Sequence, residues 1–200
     1  AVVPQSALSV FVGKKELDLT PHPDLVLTTG EASLKIIQKY SNLPSSKIRP
    51  ACALRYDHLY RVAFSPKKPK IRSLQVLVAL DGLEDASELL YYAILQAQKN
   101  NYITFYVRNH PVIPIETMFK LTGFNEKLPN NMKISENKTV LEDIEASDIV
   151  LYWGTTISLE AIILGLPVIH YDRGDILSYD PLFDLEDFKW KLNRNDNIID

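Results

Sequence analysis

From residue 74 to residue 172 the sequence alternates short apolar runs with stretches that carry apolar residues at helical spacing, and this alternation limits the possible folds more than any other feature. Residues 74–80, rich in leucine and valine, have the unbroken apolar character of a strand covered on both faces. Ala86, Leu89, Leu90, Ala93, Ile94 and Ala97 then form a stripe that predicts a helix up to about Lys99. Strands are expected at 103–107, 132–135, 149–153 and finally 168–171, and helices at 115–122, 140–146 and 155–164. Asp85-Ala86-Ser87-Glu88 and Thr139-Val140-Leu141-Glu142 both have the spacing of a capping box. Gly123 is placed to stop one helix, and Gly165 followed by Pro167 to close another. Strands and helices alternating at these lengths imply parallel strands joined by right-handed crossovers. The expected fold is therefore α/β, a Rossmann-like doubly wound parallel sheet of about five strands over 74–172.

A second, partial α/β segment is expected toward the N-terminus. Leu25-Val26-Leu27 reads as a strand ending at Thr28-Thr29-Gly30, residues 31–40 as a helix, and 47–54 as a returning strand. Ser65-Pro66-Lys67-Lys68-Pro69-Lys70 has the composition of a connector, and its lysines read as solvated charge. The expected organisation is a terminal part of one Rossmann-like domain over 1–57, a linker over 58–72, a second Rossmann-like domain over 73–175, and a C-terminal helix and tail over 176–200. Within that tail, 182–192 is expected to be helical and to pack back on the first domain, and the last eight residues to be disordered or truncated. Residues 1–13 lack the pattern of a signal peptide.

Composition removes several classes of function. The net charge of -3 gives no reason to expect nucleic acid, which calls for a strongly basic face. The one cysteine, Cys52, allows no internal disulfide and no cysteine-based zinc site, and it fits a reducing, cytoplasmic compartment. No run of 18 apolar residues is present, so no membrane span is expected.

Ligands of an open parallel sheet bind at the carboxyl ends of its strands. Three turns fall there: Asp81-Gly82-Leu83, Arg108-Asn109-His110-Pro111 and Trp153-Gly154-Thr155-Thr156. The last is the most informative. A helix start offers unpaired N–H groups and partial positive charge, Gly154 admits a close approach to the backbone, and Thr155, Thr156 and Ser158 add hydroxyls. Together they suit a phosphate, although either threonine also serves as a plain N-cap. Glu160 lies one turn on, about 6 Å along the helix, where a carboxylate can accept both hydrogens of a ribose diol; a solvent-facing glutamate is the alternative. His110 stands where a strand ends and can donate to a phosphate, with Arg108 on the same face of an extended strand; a loop histidine without a role is the alternative. Asp172-Arg173-Gly174-Asp175 reads either as a loop over a sugar or as a polar turn.

Ala146-Ser147-Asp148-Ile149-Val150, Gly154-Thr155-Thr156, Ser158-Leu159-Glu160-Ala161 and Gly165-Leu166-Pro167-Val168-Ile169, in that order and spacing, resemble the C-terminal half of the GT-B-type glycosyltransferases, where such a pattern walls the nucleotide-sugar site. Arg108-Asn109-His110-Pro111 resembles the R-x-H-P turn of the polyol-phosphate and capsule polymerases of that superfamily, where the histidine helps hold the donor phosphates. Residues 23–57 are similar to the end of the superfamily's N-terminal domain.

The resemblance implies a nucleotide-activated donor bound through its phosphates at Gly154, Thr155, Thr156, Ser158, His110, Arg108 and Gly82, through its ribose at Glu160, and covered on the sugar side by Asp172. It implies no separate cofactor and, in the absence of an Asp-x-Asp motif, no metal. The acceptor and the catalytic group are left unassigned, because both belong in this superfamily to an N-terminal domain of which only the last portion is expected here; the chain then reads as an excised domain or a reduced member. The implied role is transfer in surface polysaccharide biosynthesis, compatible with peripheral association at the inner membrane surface. A GT-B-fold nucleotide-sugar epimerase and a non-catalytic binding or assembly module are the two alternatives.

Overall fold

The computed structural model describes residues 14–15, 23–62, 73–176 and 178–199. The start of the chain over 1–13 and the connector Ser65–Lys70 lie outside the described residues. The chain divides into two compact units, Ala1–Val62 and Ala63–Asp200.

In the first unit β1 (Val26–Thr28) pairs in parallel with β2 (Ile48–Pro50), and α1 (Glu31–Tyr40) connects them. Val26, Ile37, Leu43 and Ile48 form its small buried core. The second strand is shorter than the apolar run over 47–54 suggested, and a 3-10 helix over Leu54–Arg61 follows it. The first four residues assigned to the linker thus belong to a helix.

The second unit is a six-stranded, wholly parallel sheet. Its strands are β3 (Leu74–Ala79), β4 (Ile103–Arg108), β5 (Met132–Ile134), β6 (Ile149–Tyr152), β7 (Val168–Tyr171) and β8 (Lys189–Leu192). The order across the sheet is β5-β4-β3-β6-β7-β8, so the direction of winding reverses between β3 and β6, where ligands of doubly wound sheets bind. The connecting helices are α2 (Ala86–Lys99), α3 (Ile115–Thr122), α4 (Val140–Ala146) and α5 (Ile157–Ile163). Val76, Val78, Phe105, Val107 and Leu151 of the sheet are fully buried with Leu90, Ala93, Ile94 and Ala97 of α2. Full burial of one such leucine or isoleucine stabilises by about 1.5–3 kcal/mol, which is why the apolar stripe of α2 tracks the sheet so faithfully.

The helix ends are set by local chemistry. Thr139 and Glu142 form a complete capping box at the start of α4. Gly123 ends α3 at φ 67. At the end of α5 Gly165, at φ 78, donates to the Ile162 carbonyl and Leu166 to the Ala161 carbonyl, the paired bonds of a Schellman motif. Asp148 receives the Gln75 amide at 2.8 Å, fixing the start of β3 beside the start of β6.

Four expectations need correction. Asp85 makes no capping bond at α2; its carboxylate and that of Glu88 lie against the Arg173 guanidinium instead. Residues 182–192 are not a helix: Lys189–Leu192 pairs with β7 as a sixth strand. Strand β7 is therefore not the last. The final residues are tied to α2, with Tyr92 and Gln96 donating to the Asp196 carbonyl and Ile198 to the Gln96 side chain. Among the described residues no helix is long and apolar enough to cross a membrane.

Candidate functional site at the sheet's switch point

Parallel pairing sets Ala79 level with both Arg108 and Tyr152. The turns that follow β3, β4 and β6 therefore leave the sheet along one edge, and the structure brings all three together. A Cβ on Gly82 would lie 2.8 Å from His110 Nδ1, so the absence of a side chain there is what lets the imidazole lie against the first turn. A Cβ on Gly154 would lie 3.0 Å from Asp81 Oδ2 and 3.0 Å from Tyr179 Cβ. The first turn thus touches both of the others.

Along the third turn the helix begins later than its sequence suggests, at Ile157. The backbone N–H groups of Gly154, Thr155 and Thr156 donate no hydrogen bond among the described residues. Such groups seek an acceptor, from water or a ligand. The hydroxyls divide. Thr155 is buried and its Oγ1 accepts from the Ile157 amide at 3.4 Å, a local cap. Ser158 is wholly buried, and its hydroxyl donates back to the Thr155 carbonyl at 2.9 Å; it does not face the crevice, because a serine inside a helix finds the carbonyl of the preceding turn first. Thr156 remains the half-buried hydroxyl at the turn. Glu160 sits half-buried one turn into α5, where its backbone accepts from Leu164.

His110 Nδ1 accepts from the Val112 amide at 3.3 Å. With Nδ1 engaged as an acceptor, Nε2 is the ring nitrogen that can donate. Arg108, expected beside it, is held elsewhere. Its Nη1 donates to the Asn137 carbonyl at 2.7 Å and to Asp143 Oδ2 at 2.9 Å. Asp143 Oδ1 also accepts from Ser135 and from Asn137 Nδ2. Arg108 thus locks β4 to the β5–α4 connection, and the expectation that it serves a phosphate is corrected.

Asp81 joins the crevice without having been singled out. Burial pushes its carboxyl above the ordinary value, against the Leu83 amide that it accepts and the nearby His110. Arg173, from the loop after β7, lays its guanidinium 4.6 Å from the ring centre of Trp153. Tyr179 stacks on the same indole at 5.3 Å. Both residues were within reach of sequence reading as polar or aromatic loop positions, but nothing in the chain's local pattern points them back toward β6.

Beside the crevice lies a cavity of about 420 Å³ whose walls include Trp153, Asp172, Arg173, Tyr179 and His170. Asp172 accepts from the Gly174 amide and pairs with Lys191 at 2.6 Å, which holds its carboxyl below the ordinary value. The cavity floor is a buried polar cluster. Tyr152 donates to Asp180 at 2.7 Å and Lys189 pairs with the other oxygen at 3.1 Å. Burial opposes the Asp180 charge, but these bonds and the Leu182 amide outweigh it and hold the carboxyl low. Burial likewise holds His170 below the usual imidazole range. No cluster of acidic, histidine or cysteine side chains able to hold a metal occurs among the described residues.

Solved structures similar to the chain in fold include TarM, at 17% identity and a TM-score of 0.54 over 86% of this chain. A mutant of S. aureus TarM in complex with Fondaparinux, alpha-GlcNAc-glycerol and UDP matches at 16% identity and the same TM-score. The glycotransferase of kitacinnamycin matches at 13% identity and a TM-score of 0.53 over 86% of this chain. The chain has the α/β, Rossmann-like fold of part of these glycosyltransferase structures. The chain spans 34% of TarM and 42% of the kitacinnamycin glycotransferase. No protein-family model and no curated protein sequence matches it.

Proposed function

We propose that the second unit is the donor-binding half of a glycosyltransferase, or of a polyol-phosphate transferase, and that its switch-point crevice holds a nucleotide-activated donor. The observation that carries this reading is the set of three successive unpaired amides at Gly154, Thr155 and Thr156, placed where the winding of the sheet reverses. They suit the phosphates, with Thr156, the His110 Nε2 proton and the glycine backbone at Gly82 around them. Glu160 is one turn on, at the right interval for a ribose diol. Asp172 lines the adjoining cavity, which is of the size that binding pockets for small ligands have. The likeness to a structure solved with UDP agrees with a nucleotide donor.

In this reading the unit's chemical contribution is electrostatic: donors fixed around the departing nucleoside diphosphate stabilise charge as it develops. No metal is needed for that. A role in surface polysaccharide assembly, inside the cell and at the membrane face, follows from the likeness of the Arg108–Pro111 turn to the capsule polymerases and belongs to the same proposal.

Calorimetric titration of the full chain with the diphosphates of uridine, cytidine and guanosine tests it. One of these binds, and Glu160→Ala weakens that binding at least fivefold. Unchanged affinity in the variant removes Glu160 from the site, and no binding by any of the three removes the donor reading itself.

A further inference from the structure

Arg173 is a buried cation with poor partners. Its side chain is 13% exposed, yet the carboxylates it meets at the start of α2 are solvated: Asp85 at 61% and Glu88 at 49% exposure. Only the Glu88 contact is short, at 3.0 Å. Asp85 lies 3.3 Å from Nη1 and Asp175 3.5 Å from Nε, and neither contact has hydrogen-bonding geometry, so Nε and Nη1 are buried donors without an acceptor. An unmade bond of this kind is costly, and ion pairs with exposed partners return little. The guanidinium is meanwhile held in place by the Trp153 ring beneath it, and Trp153 opens the turn whose next three amides are also unpaired.

Unfilled donors on a fixed, planar cation, laid over the residue that opens a turn of unfilled backbone donors, describe one kind of ligand, a multiply charged oxyanion that takes parallel hydrogen bonds from a guanidinium. We propose that Arg173 is the anion-binding side chain of the crevice and takes a phosphate group of the donor, exchanging the solvated carboxylates of Asp85 and Glu88 for it. The assignment rests on the donor-site reading above. It moves the cationic role from β4, where Arg108 is already satisfied, to the loop after β7. It also gives Asp85 and Glu88 a function: they hold the guanidinium in position while the crevice is empty and compete with the incoming anion.

Titration of the full chain with inorganic pyrophosphate, and with the diphosphates of uridine, cytidine and guanosine, tests the exchange. Arg173→Gln weakens pyrophosphate and the bound diphosphate about tenfold or more, the equivalent of about 1.4 kcal/mol. The double variant Asp85→Asn, Glu88→Gln strengthens both, because the competing charges are gone; its substitutions lie on exposed positions and keep the test alive if Arg173→Gln does not fold. Affinity within twofold of the wild type in Arg173→Gln, or weaker binding in the double variant, overturns the role of Arg173 and leaves the donor site standing. A wild-type chain that binds neither pyrophosphate nor any of the diphosphates overturns both.

Discussion

Two arginines stand at the same edge of the sheet, on opposite sides of its switch point, and their surroundings differ in kind. Arg108 meets a carboxylate that is 2% exposed, and that carboxylate is filled by Ser135 and Asn137 as well. Arg173 is more buried than Arg108, at 13% against 21% exposure, but two of its nitrogens lack an acceptor and its α2 partners are solvated. A complete buried network stiffens the fold. An incomplete one, set where ligands of this architecture bind, is available for something else. Charge and proximity to a strand end do not separate the two residues; the company each keeps does.

The contrast makes ordered predictions. The largest effect belongs on the Arg108 side. Asp143→Ala leaves a cation and two polar groups without their shared acceptor and costs about 3 kcal/mol or more of stability in urea unfolding. A loss under 1 kcal/mol would mean that the network is not what joins β4 to α4. Next comes Gly82→Ala, which pushes a methyl group against the His110 ring; overpacking of this kind costs about 1–3 kcal/mol, and binding of diphosphates declines with it. An alanine variant as stable as the parent, binding equally well, would separate His110 from the crevice. Arg173→Gln should cost about 1 kcal/mol at most, since the pairs it loses are with exposed carboxylates, while its anion affinity falls. A stability loss as large as that of Asp143→Ala would erase the distinction between the two arginines.

The smallest effect has the opposite sign. Burial raises the Asp81 carboxyl above its value in the unfolded chain, so the folded state holds its proton to a higher pH. Stability from this group is greatest in acid and declines as pH rises from about 4 through the raised value. Asp81→Asn, which keeps an acceptor for the Leu83 amide, removes that decline. It should make the chain slightly more stable at pH 7 and flatten the urea midpoint between pH 4 and 7. A variant less stable at pH 7 would show that His110 and Arg173 favour the charge more than burial opposes it.

How much of this could be read from the chain follows the same line. Strands β3 and β6 were legible because a parallel strand covered on both faces must be continuously apolar, and β4 by its β-branched and aromatic residues. Strand β8 was not. As an edge strand it alternates Lys189, Trp190, Lys191 and Leu192, and with Leu182 and Leu185 before it that spacing imitates a helix. The Thr139 cap was legible because both of its partners are local. Asp85 has the same local pattern, but a residue distant in sequence claims its side chain. At the crevice, the closeness of the Gly82, Gly154 and His110 turns was legible because turns at parallel strand ends leave the sheet along one edge. Ser158 and Arg108 were assigned by proximity in sequence, and hydrogen bonds made elsewhere took them out. Asp81, Arg173 and Tyr179 depend on how three loops meet, which no local pattern encodes.

In the proposed function the crevice between β3 and β6 is where the chain takes its ligand. Backbone amide NMR during titration with the nucleoside diphosphates addresses it most directly. One of them is expected to shift the amides of Gly82, His110, Gly154, Thr155, Thr156 and Glu160 together, at one saturating concentration. Shifts gathered instead around Tyr91, Leu121 and Arg194, which line a second cavity of about 310 Å³, or no shifts with any of the three, would contradict it.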